Sequence, residues 1–214
     1  MKCPCCHRFL LPSEGPICAE CLSKLPVVDS AAQYNVLSLF LCGKAIFEHA
    51  TTWAVYEQNN RLSHLLLLAK YRHRPLVNEL LTSMLVEALQ GTEWPYDIDV
   101  IVPVPQHWLR LLARGYNQVA PIAQTLSRRW QLPVEWGCLR RSKFVRSQVG
   151  LSWEERARLQ QDSLSIRHPE RLAGKHVLLV DDVCTTGATL LAAADLLLTL
   201  PGTRVSFLTL AKTL

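Results

Sequence analysis

The sequence has no apolar run long enough to cross a bilayer. Its longest apolar segment, Leu190 to Leu200, is interrupted by Asp195, whereas a membrane-spanning helix needs about 20 largely apolar residues. The first eight residues, Met1 to Arg8, contain no apolar stretch of the kind that a secretory signal peptide requires. We therefore expect a protein without a membrane span that works in the cytoplasm.

Glycine and proline are also scarce, with 9 and 12 in 214 residues, and they follow no period. This excludes a collagen-like or low-complexity chain. Charged residues make up only 19% of the sequence and apolar residues 49%, which excludes disorder as the dominant state. The length suits one ordinary domain with a small appendage, or two small domains.

Positive charge is concentrated in the middle of the chain. The whole sequence carries a net charge of +5, but the segment from Gln106 to Lys175 has 13 Lys and Arg against 5 Asp and Glu, a net charge of +8. Such a segment can hold phosphate, pyrophosphate or nucleic acid, and it can equally be a solvated surface.

Five of the eight cysteines lie in the first 21 residues, and four of them have the spacing of metal ligands. Cys3 and Cys6 form one C-x2-C pair, and Cys18 and Cys21 form a second. Two such pairs supply the four sulfurs of a closed, structural zinc site. Disulfides are disfavoured because the expected compartment keeps thiols reduced.

The first pair has neighbours that are also potential ligands. Cys5 and His7 can each replace one of its cysteines, so the ligands from this pair are less certain than Cys18 and Cys21. We expect residues 1–48 to form the zinc-binding module and its connector, and residues 49–214 to form the main domain. The apolar run from Val36 to Leu41 is predicted to pack under the zinc module.

The rest of the chain alternates between strand and helix patterns, which predicts a parallel α/β sheet flanked by helices. The strand signals are continuous apolar or β-branched runs, and the helix signals are apolar residues three and four apart. In chain order we predict a strand at 51–56, helices at 62–74 and 76–89, a strand at 98–104, a helix at 116–130, strands at 132–136 and 177–180, a helix at 190–200 and a strand at 205–210.

The most specific pattern is a buried strand followed by two acids, a short hydroxyl-rich loop and a helix. The strand is Val177 to Val180, the acids are Asp181 and Asp182, and the loop runs from Thr185 to Thr189. Backbone N–H groups at such a helix start bind phosphate, and Gly187 permits close approach. Two carboxylates beside a phosphate site can accept hydrogen bonds from a ribose diol.

This segment resembles the 5-phosphoribosyl-1-pyrophosphate (PRPP) motif of type I phosphoribosyltransferases. Further segments look like the ComF family of competence and DNA-utilisation proteins, which includes the proteins called GntX, and the resemblance covers essentially the whole chain. The segments that carry this resemblance are Val100 to Pro105, Arg110, Arg114 to Gln118, Leu139 to Arg141, Gln148, Leu151 to Ser152, Arg156 and the N-terminal cysteine pairs. Leu159 departs from the pattern, because the family often has an asparagine there.

The resemblance implies a role for each matching position. Asp181 and Asp182 would hold the ribose hydroxyls and are the candidate catalytic residues. The loop residues Thr185, Thr186, Gly187, Ala188 and Thr189 would hold the 5-phosphate. The loop from Pro103 to Pro105 would lie near the pyrophosphate, Arg114 would neutralise it, and Mg²⁺ would arrive with PRPP. Because this chemistry needs no nucleophile, Cys184 is interpreted as a small packing residue.

Three functions remain open at this point. The first is a competence or DNA-utilisation protein with a PRPP-binding fold, the second an active transferase of phosphoribose, and the third a zinc-bearing scaffold for DNA-processing partners. A fold does not by itself establish a reaction. The basic, aromatic-containing segment with Arg140, Arg141, Lys143, Phe144 and Arg146 is predicted to contact either single-stranded DNA or pyrophosphate.

Overall fold

The computed structural model describes residues 1–29, 35–71, 75–90, 97–106, 117–141 and 164–214. We label its elements in chain order. The helices are α1 (Ala19–Ser23), α2 (Val36–Leu41), α3 (Arg61–Tyr71), α4 (Pro75–Ala88), α5 (Val119–Trp130) and α6 (Ala188–Leu198), with a short 3-10 helix at Pro169–Arg171. The strands are β1 (Ala50–Tyr56), β2 (Val100–Pro103), β3 (Leu139–Arg141), β4 (Leu164–Ile166), β5 (His176–Cys184) and β6 (Arg204–Thr213).

Four strands form the main sheet in the order β1-β6-β5-β2, and every neighbouring pair is parallel. The strands are apolar along most of their length because helices cover both faces of the sheet. In β5, Leu178 and Val180 belong to one core cluster, whereas Val177 and Leu179 belong to the other. This alternation is the period of two that a strand imposes on its side chains.

The two faces of the sheet carry different helices. The first core cluster includes the apolar sides of α3, α4 and α5, and the second includes those of α2 and α6. In α5, for example, Val119, Ile122, Ala123 and Leu126 are buried at helical spacing, so the helix presents one apolar side to the sheet. The α/β sheet flanked by helices that the pattern predicts is therefore confirmed.

The N-terminal cysteine segment packs directly on the first face. Cys3, Cys18 and Cys21 are buried in the same core cluster as Leu62 and Leu65 of α3. The Val28 N–H also donates to the Trp53 carbonyl of β1. These contacts join the first residues to the sheet, and the division of the chain at residue 48 stays a prediction.

Helix α2 lies elsewhere than predicted. Leu37 and Leu41 belong to the second core cluster, on the face of the sheet opposite the buried cysteines. The Asn35 side chain fixes the start of α2, because its Oδ1 accepts from the N–H groups of Leu37 and Thr52. The expectation that this run packs under the zinc module is wrong, because the run covers the second face of the sheet instead.

Other elements also differ from the sequence predictions. The strand predicted at 132–136 is only a single bridge, in which Val134 pairs with Ile101. The hairpin of β3 and β4 was not predicted, since its strands have three residues each and mixed polarity. Strand β5 extends beyond Val180 to Cys184, because its last residues continue to pair with β6.

None of the helices described here combines the length and apolarity that a bilayer span requires.

Candidate functional site

The candidate site lies at the carboxyl edge of the sheet, where parallel strands present their ends to a ligand. Strand β5 ends at Cys184, and α6 begins four residues later at Ala188. The intervening turn brings Thr185 and Thr186 to the surface, where both are exposed. The predicted order of strand, acids, hydroxyl loop and helix is thus present.

Asp181 and Asp182 lie near the end of β5 and are half-buried. Asp181 Oδ1 accepts a hydrogen bond from the N–H of Asp182 at 2.9 Å, and Asp182 Oδ1 accepts one from the N–H of Val183 at 2.8 Å. Because each carboxylate is tied to the following backbone N–H, its orientation is fixed before any ligand arrives. Asp181 is held further by the pairing of its backbone with Thr209 of β6.

The turn before α6 requires glycine for two reasons. Gly187 has φ +73°, a conformation that L side chains rarely adopt. A Cβ at this position would also lie 2.9 Å from Cε1 of Phe40, on α2. The turn therefore rests on the Phe40 ring, which links the connector helix to the candidate phosphate loop.

The two carboxylates and the loop share one cavity of about 280 Å³ with Arg141. We call this cavity the acidic pocket. The Arg141 Nη2 atom donates to Thr189 Oγ1 at 3.2 Å, so the hairpin strand β3 supplies a cation at the start of α6. The pocket is lined by Tyr56, Val104, Pro105, Gln106, Arg141, Asp181, Asp182, Val183, Thr185 and Thr189.

The pocket collects part of the predicted site. Asp181, Asp182, Thr185, Thr189 and Arg141 line it together. The other loop residues, Thr186, Gly187 and Ala188, form the turn beside it, where the Ala188 N–H donates to Thr186 Oγ1 at 3.5 Å.

The predicted loop from Pro103 to Pro105 borders the pocket in part, because Val104 and Pro105 line it whereas Pro103 is buried at the end of β2. Arg140 lies outside the pocket and is exposed on β3. Arg114, Lys143, Phe144 and Arg146 lie outside the described residues.

Two pocket residues were missed by the sequence analysis. Tyr56 is the last residue of β1, and Gln106 follows β2. A signal for both was available, because carboxyl ends of parallel strands meet at one edge of a sheet. The sequence does not reveal the strand order. This order places β1 and β2 on either side of the central pair, β6 and β5.

Cys184 is buried at the end of β5 and packs in the second core cluster. Burial raises the pKa of its thiol to about 12, with Asp181 adding to the rise and Lys212 opposing it. The thiol is therefore protonated at neutral pH and is a poor nucleophile. This agrees with its interpretation as a packing residue.

The four paired cysteines converge at the N-terminus. The Sγ atoms of Cys3, Cys6, Cys18 and Cys21 all lie within 4.8 Å of one another, and those of Cys6 and Cys18 are 3.7 Å apart. A tetrahedral zinc site with Zn–S bonds of about 2.3 Å has sulfurs separated by about 3.8 Å. The donor set and its spacing thus fit a closed metal site with no open position for a substrate.

The two C-x2-C turns, residues 3–6 and 18–21, which we call the cysteine knuckles, shift the pKa values of their thiols in opposite directions. Burial raises the pKa of Cys3, but hydrogen bonds from the backbone of Cys18, Cys6 and Cys5 outweigh it and bring the pKa to about 6. A hydrogen bond from the backbone of Cys21 lowers the pKa of Cys18. Burial and the neighbouring cysteines raise the pKa of Cys21. The fold without metal therefore favours the thiolate, the form that binds metal, at Cys3 and Cys18 but not at Cys21.

The geometry of the acidic pocket suits a phosphorylated sugar. Carboxylates accept hydrogen bonds from hydroxyls, and a hydroxyl-rich turn at a helix start binds a phosphate. Arg141 adds a positive charge that the same ligand can use for a second anionic group.

Comparison with known proteins agrees with this geometry. A family model for the phosphoribosyl transferase domain matches residues 96–213. Competence protein F of Haemophilus influenzae is 31% identical over 140 residues, which are 64% of this chain and 61% of that protein. DNA utilization protein YhgH of Escherichia coli O157:H7 is 32% identical over 217 residues, covering 99% of this chain and 84% of that protein.

Among solved structures, adenine phosphoribosyltransferase from Thermoanaerobacter pseudethanolicus is 21% identical with a TM-score of 0.41, over 66% of this chain and 83% of that one. The family model covers more than half of the sequence, and the Escherichia coli relative aligns with nearly all of it. The chain therefore belongs to the phosphoribosyl transferase domain family, in the group that contains Competence protein F and the YhgH proteins.

Proposed function

We propose that this protein binds PRPP in the acidic pocket and acts in the uptake or utilisation of external DNA. PRPP binding is inferred from one observation: Asp181 and Asp182 line the same cavity as Thr185 and Thr189, the two ends of the hydroxyl-rich turn. The DNA role is supported by the relatives, which are named as competence and DNA utilization proteins.

In this proposal each part of PRPP has its own residues. Asp181 and Asp182 accept hydrogen bonds from the ribose hydroxyls, and the turn from Thr185 to Thr189 holds the 5-phosphate. Arg141 lines the same cavity and is bonded to Thr189, so its charge lies beside the bound phosphates. It is the described cation best placed for the pyrophosphate, and Arg114 is proposed to join it.

Magnesium is proposed to enter with PRPP. Mg²⁺ prefers oxygen ligands and is usually held by one or two carboxylates together with substrate phosphates, and the paired carboxylates of the pocket fit that preference. When bound, the ion would neutralise charge on the pyrophosphate. The residues of the chain then orient the sugar and the phosphate around it.

Transfer of phosphoribose to an acceptor is the finer form of this proposal. Departure of pyrophosphate leaves positive charge on the sugar carbon, and fixed carboxylates beside that sugar stabilise it electrostatically. The hydrogen bonds from the N–H groups of Asp182 and Val183 hold the two carboxylates in place for this role. A protein that binds PRPP without transfer, or a scaffold for DNA-processing partners, is the alternative.

Zinc is proposed to be the metal of the cysteine cluster. Four thiolates suit zinc, and a closed site with four cysteine ligands is structural, not catalytic. The buried position of Cys3, Cys18 and Cys21 in the main core supports a structural role. The protein is proposed to work in the cytoplasm, where thiols stay reduced and remain available to bind zinc.

Single-stranded DNA is proposed to bind along the basic segment that begins in β3 and continues after it. Arg140 is exposed on this strand, and Lys143, Phe144 and Arg146 continue it in the sequence. Cations bind the DNA backbone and an aromatic ring can stack on a base. Arg141 is assigned to PRPP and not to DNA, since it lines the acidic pocket.

A thermal-shift panel tests the ligand. The full chain is melted with PRPP, ribose 5-phosphate or pyrophosphate, each with and without Mg²⁺, and we expect stabilisation by PRPP and ribose 5-phosphate. A ligand at 100 times its Kd stabilises by about 2.7 kcal/mol, which corresponds to roughly 5–10 °C for a chain of this size. Asp182→Asn should lose this shift, whereas Glu87→Gln, an exposed change on α4, should keep it.

The panel also has a result that would reject the proposal. If pyrophosphate alone reproduces the whole shift and ribose 5-phosphate gives none, the pocket recognises an anion and not a phosphorylated sugar.

A further inference from the structure

A second cavity lies next to the acidic pocket and is about twice as large, with a volume of about 570 Å³ against about 280 Å³. The half-buried Tyr56 lines both of them, at the carboxyl end of β1. The other walls are Cys5 and His7 of the first cysteine knuckle and residues between Gln58 and Leu67, at the start of α3. We call this the junction cavity, because it lies where the knuckle meets the main sheet.

The knuckle wall is fixed in place. His64 Nε2 is 2.9 Å from the carbonyl oxygen of Pro4, so a hydrogen bond joins α3 to the first cysteine pair. Leu62 and Leu65 of the same helix share a core cluster with Cys3. The junction cavity is therefore bounded by packed elements on both sides.

Arg61 gives one wall of this cavity a positive charge, which also acts on the nearby Glu20 and Cys5. Arg61 is half-buried on its wall and makes no ion pair with the described part of the chain. The imidazoles of His7 and His64 lie on the same wall, and the described lining residues include no carboxylate. A guanidinium in this setting is a good partner for a phosphate, because it offers several N–H donors in one plane.

The knuckle contributes its histidine at a conformational cost. His7 has φ 61°, in the left-handed region where glycine is favoured, and it directly follows the second cysteine of the knuckle. Glycine would form this turn with less strain. The turn therefore places an imidazole on the cavity wall, where glycine would offer no side chain.

The junction cavity also offers groups that can pair with a base. Gln58 and Asn59 are exposed on its wall, and their carboxamides make no hydrogen bond within the described ranges. Asn60 differs, because its side chain already accepts from the Ser63 N–H and donates to the Val55 carbonyl. Carboxamides both donate and accept, as the edges of nucleobases do.

We propose that the junction cavity binds one nucleotide, with its phosphate at Arg61 and its base beside Tyr56, Gln58 and Asn59. The volume lies within the range of small-molecule sites, roughly 300–1,000 Å³, and is larger than an isolated phosphate needs. The nucleotide is either a free nucleoside monophosphate or the terminal residue of a DNA strand, which share this chemistry. The proposal goes beyond PRPP binding, since Tyr56 is the only residue it uses that also lines the acidic pocket.

Calorimetry on the full, metal-loaded chain tests the proposal. The probes are deoxyadenosine 5′-monophosphate, deoxyadenosine, inorganic phosphate and a 5′-phosphorylated deoxyadenosine hexanucleotide, all with saturating ribose 5-phosphate to occupy the acidic pocket. We expect Arg61→Gln to weaken the monophosphate about tenfold to a hundredfold, as loss of a charged hydrogen bond does. Affinity for deoxyadenosine should be unchanged, because that probe has no phosphate.

Matched variants distinguish the loss of a binding side chain from damage to the fold. Arg129→Gln removes one exposed charge from α5 and should leave all affinities unchanged. His7→Gly should weaken the monophosphate while keeping the metal content and without lowering the melting temperature. Gln58→Ala should weaken the monophosphate and deoxyadenosine alike. Tighter binding of the monophosphate would indicate a free nucleotide as the ligand. Tighter binding of the hexanucleotide would indicate the end of a DNA strand.

Three results would overturn the proposal. They are unchanged monophosphate affinity in Arg61→Gln, phosphate binding as tightly as the monophosphate, and monophosphate binding that Asp182→Asn abolishes but Arg61→Gln does not. The last, measured in titrations without ribose 5-phosphate, would place the nucleotide in the acidic pocket. If PRPP does not bind, the monophosphate affinities of Arg61→Gln and Arg129→Gln still test this proposal, because they are compared with each other.

Discussion

Gly187 shows how one residue connects two parts of the molecule. Its φ of +73° closes the turn before α6, and its missing side chain admits the ring of Phe40. The ring itself lies against two cations, with Nζ of Lys44 at 3.6 Å and Nζ of Lys212 at 4.0 Å from its centroid. The candidate phosphate loop therefore depends on a residue of α2, which lies far from it in the sequence.

Gly187→Ala should destabilise the protein more than Gly202→Ala. Gly202 has a similar φ of +69°, but its added Cβ would make only an ordinary contact, 3.5 Å from Gly174 Cα. A left-handed alanine costs about 1–2 kcal/mol in either case, and displacement of Phe40 should add roughly 1–3 kcal/mol at Gly187. Denaturant unfolding measures both values, and equal losses would show that the Phe40 contact has no energetic role.

At the scale of elements, the cysteine knuckles are part of the main core. Cys3, Cys18 and Cys21 share a core cluster with α3, and His64 bonds to the carbonyl of Pro4. Loss of a metal at this site would therefore affect the helices that cover the first face of the sheet. If the cysteine segment were an isolated appendage, loss of its metal would leave the stability of those helices unchanged.

Cys18→Ser should remove bound zinc and lower the melting temperature by about 10 °C or more, because losing a structural metal typically costs over 4 kcal/mol. Cys42→Ser is the matched control, since Cys42 is exposed and lies outside the four-cysteine cluster. Elemental analysis and a melting curve measure the two effects. Zinc content and stability that stay unchanged in Cys18→Ser would contradict the assignment.

The starts of β5 and β6 carry an array that resembles a catalytic triad but is structural. His176 Nδ1 lies 3.1 Å from Asp97 Oδ1, and His176 Nε2 lies 2.8 Å from Ser206 Oγ. Ser206 is fully buried, and its Oγ also accepts from the His49 N–H. No substrate can reach this hydroxyl, and the array lies at the amino end of β5 and β6, opposite the acidic pocket.

Asp97 gives this array a dependence on pH. The hydrogen bond from Arg204 lowers the pKa of Asp97, with His176 acting in the same direction. Its contribution to stability is present above the unfolded pKa of about 4 and is lost as the pH falls through the lower folded value.

Asp97→Asn should therefore destabilise the protein modestly at neutral pH, because the carboxylate is half-exposed and screened by water. The difference from wild type should vanish in strong acid, where Asp97 is protonated. Unfolding free energies across a pH series measure this, with Glu87→Gln as a control for an exposed carboxylate. A difference that persists unchanged at the lowest pH would assign the effect to packing.

Elements with a strong local pattern could be predicted from the sequence, and those that depend on distant partners could not. Strand β5 and helix α5 are clear, because continuous apolar runs and helical spacing are local signals. The length of β5 depends on pairing with β6, and the position of α2 depends on which face of the sheet is uncovered.

The candidate site divides in the same way. Asp181, Asp182 and the threonines belong to one continuous motif, so they could be identified together. Tyr56, Gln106 and the bond between Arg141 and Thr189 come from separate strands. Only the strand order β1-β6-β5-β2 brings them to one cavity.

At the scale of the whole molecule, the basic segment predicts salt-dependent binding of single-stranded DNA. Affinity should fall with salt at a slope of about −0.7 per neutralised phosphate on a log–log plot. Changing Arg140, Lys143 and Arg146 to Gln should reduce that slope by about one to two units, and Phe144→Ala should weaken binding by about 1–3 kcal/mol if its ring stacks on a base.

Fluorescence anisotropy across a salt series measures these effects. PRPP affinity is the control, because Arg141 is left intact in the triple variant. DNA binding that is absent at low salt, or unaffected by the triple variant, would remove the basic segment from DNA recognition.

The central claim is that Asp181 and Asp182 hold the sugar of PRPP, and calorimetric titration with PRPP and Mg²⁺ tests it most directly. Wild type should bind one PRPP per chain. The double variant Asp181→Asn and Asp182→Asn keeps the shape of both side chains and removes both charges, so it should lose about a hundredfold or more in affinity, at roughly 1.5–3 kcal/mol for each charged hydrogen bond. PRPP affinity that is the same in the double variant and the wild type would contradict the account.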